Sequence, residues 1–337
     1  MKRTVLDDAA RDHNLTQPAI ALALDLTGAR PDAAAWRAFI LRLLDATGIA
    51  SLGAGIIFFV AANWQDYGIL GRFAILQAAF AGCVAAAWWR PPPAAVGQGA
   101  LVLATLITGA LLALFGQSYQ TGADLYELFF IWAALALPFA LAGRSGAVWA
   151  TWWAVLDVGL GLYCGLQDPN HFMWAMLDRA GIGRPMLILV AGFVNLAGAT
   201  LCVYVAKTRF AAHAPHWLAR ALAATGFLFG TVACIAAITH TGIFSSHSAE
   251  MTRQDLAAIA LFAVAAVLVG IATLQRRIDV FPMALIAASF IAISTAWIIA
   301  SIRFKDLGAF FVIATWLIVT STAAGFLLMR WVREWRK

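Results

Sequence analysis

The sequence predicts an all-α fold: a polytopic bundle of about ten transmembrane helices with a short helical cytosolic head. Three observations predict it. Apolar residues make up 63% of the 337 residues and charged residues only 12%, with a mean hydropathy of +0.83. Soluble domains are about 45–50% apolar and about 25% charged, so part of this chain's solvent is lipid. The apolar residues come in runs of about 20 that are apolar on every face, the length that spans a bilayer. A membrane β-barrel would alternate polar and apolar positions instead. Lysine and arginine gather at the ends of the runs, on one side.

Taken in order, residues 1–45 read as a cytosolic head with six basic residues and six acids. Thr16 can cap a first helix, with Pro18 in its first turn. Asp32 can cap a second, with Trp36, Phe39, Ile40, Leu43 and Leu44 at helical spacing. That amphipathic helix leads into the membrane, and the sequence places it on the lipid surface or beneath the bundle. The first apolar run begins near Thr47, which reads as an uncleaved anchor.

Ten spans follow, at about 46–62, 70–89, 100–115, 126–142, 147–164, 186–205, 217–239, 256–274, 281–300 and 308–329. The run 100–115 can be extended through Val96–Gly99. Arg90-Pro91-Pro92-Pro93 stops the second span. With the N-terminus inside, 17 of the 23 lysines and arginines fall on the cytoplasmic side, which predicts both termini in the cytoplasm. Four segments are expected: the head 1–45, a membrane region 46–145 with four spans, a second region 146–330 with six, and a basic tail 331–337 carrying Trp331 and Trp335. Trp64, Trp88, Trp89, Trp149 and Trp217 read as an aromatic belt at the interfaces.

The net charge of +6 and pI near 9.5 do not argue for nucleic acid, because the cations sit at helix ends. The partner they imply is the bilayer. Cys83, Cys164, Cys202 and Cys234 lie in apolar runs without metal or redox spacing and read as small packing residues. His213-Ala-Pro-His216 is a weak metal signal. His240 and His247, beside Ser245, Ser246 and Glu250, have no triad spacing. No phosphate loop, zinc motif or dinucleotide fingerprint occurs, and the sequence predicts neither cofactor nor metal.

Polar residues inside spans mark the candidate sites, because each is costly there. Asp157 is the foremost, in the fifth span and nearer its outer end. One reading makes it a proton or cation site. The other makes it a neutral acid hydrogen-bonded to a neighbouring helix. Gln77 and Asn195 are mid-span amides expected to bond across helices, and Ser51 with Gly55 is expected to permit close helix approach. A second candidate is the periplasmic mouth. It joins Asn63, Trp64 and Gln65, after the first span, to Gln117, Tyr119, Gln120, Asp124 and Glu127, between the third and fourth. It has the chemistry for a cation or a polyol. Asp124 and Glu127 also have the spacing of a capping box, which would account for both carboxylates without a ligand.

The stretch Gly53-Ala-Gly55-Ile-Ile-Phe-Phe-Val-Ala-Ala-Asn63-Trp64, then Gly116-Gln-Ser-Tyr-Gln-Thr-Gly-Ala-Asp124 and Leu128-Phe-Phe-Ile-Trp132-Ala-Ala-Leu-Ala-Leu-Pro138, resembles a bacterial family of predicted membrane proteins, DUF2157, over roughly residues 10–145. The resemblance implies a bacterial inner-membrane location and no assigned activity, so it transfers no catalytic residue. Three functional readings remain open. The chain moves or senses a small solute or ion through the bundle. It is a structural or assembly protein of the envelope that binds a partner through periplasmic loops. Or it is an intramembrane enzyme acting on lipid-linked material, although no acid/base pair is visible.

Overall fold

The computed structural model describes residues 16–26, 33–62, 67–119, 122, 124–165, 185–205, 216–239, 252–276, 279–301 and 307–335. Among them are eleven helices and no strand. In chain order they are α1 (Gln17–Leu26), α2 (Ala33–Ala62), α3 (Ile69–Trp89), α4 (Ala95–Tyr119), α5 (Leu125–Gly143), α6 (Gly146–Tyr163), α7 (Pro185–Val205), α8 (His216–Thr239), α9 (Arg253–Arg276), α10 (Phe281–Ser301) and α11 (Leu307–Trp335).

Each predicted span falls on one of α2 to α11. Eight of these helices, α3 to α5 and α7 to α11, are long and apolar enough to cross a membrane. The other two predicted spans lie in α2 and α6. The 18 residues of α6 include three tryptophans, a tyrosine, three glycines and Asp157, which lower its hydropathy. The chain is therefore an all-helical membrane protein with several apolar helices.

The chain divides into two compact units, Met1–Ala104 and Thr105–Lys337, with the boundary inside α4. In the first unit the amphipathic head helix and the first predicted span are one uninterrupted helix of 30 residues. At 1.5 Å per residue it is about 45 Å long. Its first half therefore continues the axis of the span and does not turn off as a separate element. Trp36, Phe39, Ile40, Leu43 and Leu44 on that half are all exposed. Ser51 is exposed, and a Cβ at Gly55 would meet nothing within 4 Å, so the expected close approach does not occur there among the described residues. Helix α3 opens with the Arg72 side chain donating to the Tyr67 carbonyl at 2.9 Å. It closes at Trp89, before the prolines, with the Arg90 amide still bonded to the Ala86 carbonyl at 2.9 Å. The turn into α4 is tight: Ala94 N–H reaches the Pro91 carbonyl at 3.2 Å, and Gly97 lies against the Arg90 carbonyl.

In the second unit, α5 and α6 form a helical hairpin. Arg144 takes a left-handed conformation (φ 43°) after α5, and Ser145 caps α6 by accepting from the Ala147 amide at 3.3 Å. Helices α7 and α8 make the closest contact. A Cβ on Gly192 would stand 2.9 Å from the Gly226 carbonyl oxygen and 3.2 Å from the Gly230 nitrogen. Gly226-Phe-Leu-Phe-Gly230 is thus a small-xxx-small interface, the device by which helix backbones meet in lipid, where burial against acyl chains gives no hydrophobic advantage. Gly230 also leaves room for Phe262 of α9, whose ring stands 5.8 Å from Phe227. Around this contact lies the core, with Cys164, Ile188, Leu189, Phe227, Cys234 and Ala258 among its buried residues.

Polar locks join further pairs. The Trp132 indole donates to the Thr105 carbonyl at 2.6 Å. The Trp152 indole donates to the Ala133 carbonyl at 2.7 Å. Thr231 of α8 and Ser289 of α10, both buried, have hydroxyls 2.8 Å apart. Trp316 of α11 donates to the Ser294 hydroxyl at 3.1 Å. Not every tryptophan is a belt residue, then. Trp88, Trp89 and Trp217 are exposed, as a belt requires, whereas Trp149 packs against the small cluster of Ala199, Leu218 and Leu222. Trp64 and Trp335 carry no described side chain.

Candidate functional site

The strongest polar constellation is built by three helices. Asp157 sits two-thirds of the way along α6, Asn195 midway along α7, and Thr225 in the first half of α8. Close packing brings them together. Trp153 of α6 fits over Gly198 of α7, with a ring atom 2.5 Å from where a Cβ would stand. The Gly192–Gly226 contact fixes α8 against α7.

Asn195 is fully buried. Its amide nitrogen donates to Asp157 Oδ1 at 2.6 Å and to the Ala191 carbonyl at 3.2 Å, which uses both N–H groups. Its oxygen accepts from the Thr225 hydroxyl at 2.8 Å. The Ala191 carbonyl fixes the amide's orientation, since turning it over would set two oxygens against each other. Thr225 has one proton, which Asn195 Oδ1 and the Leu222 carbonyl at 3.1 Å compete for. Asp157 is half-buried. One of its oxygens is held by Asn195, and the other is outside the relay. The arrangement can hold a carboxyl group in a fixed orientation in either protonation state.

Of the residues singled out in the spans, Asp157 and Asn195 thus meet. Gln77, on α3 in the first unit, is exposed and makes no hydrogen bond among the described residues, so its expected bond across helices is not seen. Thr225 is the member sequence reading missed. A threonine in a span ordinarily satisfies its hydroxyl on its own helix, so residue type alone does not single it out. Its place near mid-helix, like that of Asn195, was the available signal.

The periplasmic-mouth residues are placed in part. Asn63, Trp64, Gln65 and Gln120 lie outside the described residues. Gln117 and Tyr119 are exposed in the last turn of α4, which runs four residues past the predicted end of the span. The Tyr119 ring stands 4.8 Å from Phe115, one turn earlier. Asp124 occupies the N-cap position of α5 and Glu127 its first turn, but no side-chain cap forms. The amides of Glu127 and Leu128 bond the Asp124 backbone carbonyl at 3.1 and 3.4 Å. This corrects the capping-box expectation: neither carboxylate closes a cap on α5. Beside it, Tyr126 and Phe130 of α5 pack on Tyr163 of α6, at 5.3 and 6.0 Å between ring centres.

A reciprocal capping box does occur elsewhere. The Thr252 hydroxyl accepts from the Asp255 amide at 3.2 Å, and the Asp255 carboxylate accepts from the Thr252 amide and hydroxyl at 3.1 and 2.6 Å. That box explains buried Asp255 without any ligand. His213, His240, His247, Ser245, Ser246 and Glu250 lie outside the described residues. Among the described residues no group of three or more His, Cys, Asp or Glu comes together as a metal site.

No curated protein and no solved structure is significantly similar to this chain. A family model does match. Residues 11–149, under half of the chain, fit the family described as "Predicted membrane protein (DUF2157)". The matched segment contains the Asn63-Trp64 and Gly116–Asp124 elements and ends just after α6 begins, so Asp157, Asn195 and Thr225 lie beyond it. Over residues 11–149 the chain is similar to that family of predicted membrane proteins, in the segment that holds those elements.

Proposed function

We propose that the chain is an ion-coupled membrane protein that moves or senses a small solute, with Asp157 as its ionisable group. The observation that supports this is the Asp157–Asn195 contact at 2.6 Å within the packed α6–α8 group. An ionisable side chain in a span is expensive, and such residues usually mark ion or proton paths. The test is flux in proteoliposomes. A pH-sensitive dye and an alkali-ion indicator are enclosed, and an ion gradient is imposed. Wild type should dissipate the gradient faster than empty vesicles. Asp157→Asn, which keeps the size but cannot ionise, should not, at equal reconstituted amount. Equal flux in both would remove Asp157 from any such role.

The bacterial inner membrane, with both termini cytoplasmic, is the location we infer. It is supported by the one-sided distribution of 17 of 23 cations. The Arg220–Asp279 ion pair at 2.8 Å adds support, because it joins the starts of α8 and α10, two helices that alternation puts at the same face. A reporter fused after Lys337 that reads periplasmic would overturn the orientation.

A second reading, an envelope assembly protein, is favoured by the exposure of Gln117, Tyr119, Asp124 and Glu127 at adjoining helix ends. Under it, Gln117→Ala with Tyr119→Ala should abolish a co-purifying complex that Asp157→Asn leaves intact.

A further inference from the structure

We infer that the ion exchanged at Asp157 is a proton and not an alkali metal cation. The inference rests on the ion-coupled reading above and narrows it by hydrogen-bond inventory. A dehydrated sodium or potassium ion in a membrane protein is held by several oxygens, commonly backbone carbonyls freed where a helix is broken. None of those is on offer among the described residues of α6, α7 and α8. Helices α6, α7 and α8 run unbroken through Asp157, Asn195 and Thr225, so the nearby carbonyls serve the amides one turn on. Asn195 meets Asp157 with its N–H side, at 2.6 Å from Oδ1, where a metal ion would need an acceptor. Its own oxygen is turned away, toward Thr225. What remains for a cation among the described residues is one carboxylate oxygen. A proton needs only that one, and the protonated acid still offers Oδ1 to Asn195 as an acceptor.

The surroundings agree. Helix α6 packs against α5 and α7. The ionisable residues of α5 are Tyr126 and Glu127 in its first turn, and those of α7 are Cys202 and Tyr204 near its end. Helix α8, next to α7, carries His216 and Arg220 at its start and Cys234 near its other end. Among the described residues of these helices, no second carboxylate faces Asp157 to complete a cation site, and no fixed cation faces it to lock it ionised.

The test is a titration, which needs no knowledge of the transported solute. Infrared difference spectra of the full-length protein in lipid follow the carbonyl stretch of protonated carboxylic acids against pH. The band assigned to Asp157 is the one absent from Asp157→Asn. It should titrate with a midpoint that is the same in sodium, potassium and choline chloride. Asn195→Leu, which removes the donor to Oδ1, should move that midpoint upward. A midpoint that falls as sodium or potassium rises, by up to about one pH unit per tenfold in concentration, would overturn the proton assignment and leave the ion-coupled reading standing. A band that never changes while the protein stays folded would make Asp157 a fixed structural acid, and the broader reading would fall with the narrower.

Discussion

Gly109 lies directly against the Trp132 indole, and its missing side chain opens a path for that ring to the α4 backbone. The indole N–H uses the path to reach the Thr105 carbonyl, one turn before Gly109, at 2.6 Å. A Cβ on Gly109 would stand well inside van der Waals contact with atoms of the ring. Alanine would gain up to about 1 kcal/mol in helix propensity but would cost about 1–3 kcal/mol in overpacking and strain the hydrogen bond. Gly109→Ala should therefore lower unfolding stability in detergent by about 1–2 kcal/mol. Trp132→Leu should relieve most of that loss, so the double variant should be far from additive. A stabilised Gly109→Ala would show that the ring does not sit there.

Asn195 and Thr225 offer a second cycle. Replacing Thr225 with valine removes a donor to the Asn195 oxygen while keeping the shape of the side chain. Hydrogen bonds between membrane helices average about 0.6 kcal/mol and reach about 1.7 kcal/mol. Thr225→Val should fall in that range. Asn195→Leu should cost more, because it abandons Asp157 as well, leaving a polar group without its partner at about 1–3 kcal/mol. Measured by reversible unfolding, the pair should couple by at least about 0.5 kcal/mol. Strict additivity would mean that the two side chains are not in contact in the bilayer.

Asp124 with Glu127 and Thr252 with Asp255 have the same three-residue spacing at a helix start, yet only the second pair closes a box. Asp255→Ala should cost about 0.5–2 kcal/mol, the usual effect of losing a cap. Thr252→Ala should cost about as much, and the double variant little more than either single one. Asp124→Ala and Glu127→Ala should each stay within about 0.5 kcal/mol of wild type. A large loss at Asp124 would mean that its carboxylate caps α5 after all.

These cases show what could be read in advance. Hydropathy placed a helix under every predicted span, because a run of about 20 apolar residues leaves the backbone no other way to satisfy itself in lipid. Asp157 and Asn195 were legible as costly polar residues, but that they touch depends on Gly192 and Gly226, which set how α7 meets α8. The spacing of Gly226 and Gly230 carried that signal, whereas attention to Ser51 and Gly55 found a pair that meets nothing within the described residues. Spacing alone could not choose between Asp124 and Asp255 as caps.

Arg144 gives a backbone test. It holds φ 43° between α5 and α6, a conformation that costs a side-chain-bearing residue roughly 1 kcal/mol and glycine almost nothing. Glycine is also more flexible in the unfolded chain, which offsets part of the gain. Arg144→Gly should still raise stability, by up to about 1 kcal/mol. It should also reduce the cytoplasmic charge bias by one. A reporter at the C-terminus should read the same side in both proteins, because 16 cations still remain on that side against six. If instead Arg144→Gly lowers stability, the arginine side chain contributes more than its backbone strain costs.

The Arg220–Asp279 pair tests helix order and sidedness together. Arg220 Nε bonds Asp279 Oδ2 at 2.8 Å, and the guanidinium also stands 5.7 Å from the centre of the Phe281 ring. The other Asp279 oxygen accepts from the Phe281 amide at 3.1 Å and caps α10. Arg220 is more than half exposed, so Arg220→Ala should cost under about 1 kcal/mol, and less in high salt. Asp279→Ala should cost more, because it removes a cap along with the ion pair. In a background without the four native cysteines, Arg220→Cys and Asp279→Cys should crosslink with a short bifunctional reagent. Both should react with an impermeant thiol reagent from the same face of inverted vesicles. Labelling from opposite faces would break the alternation of α8, α9 and α10 and the topology drawn from it.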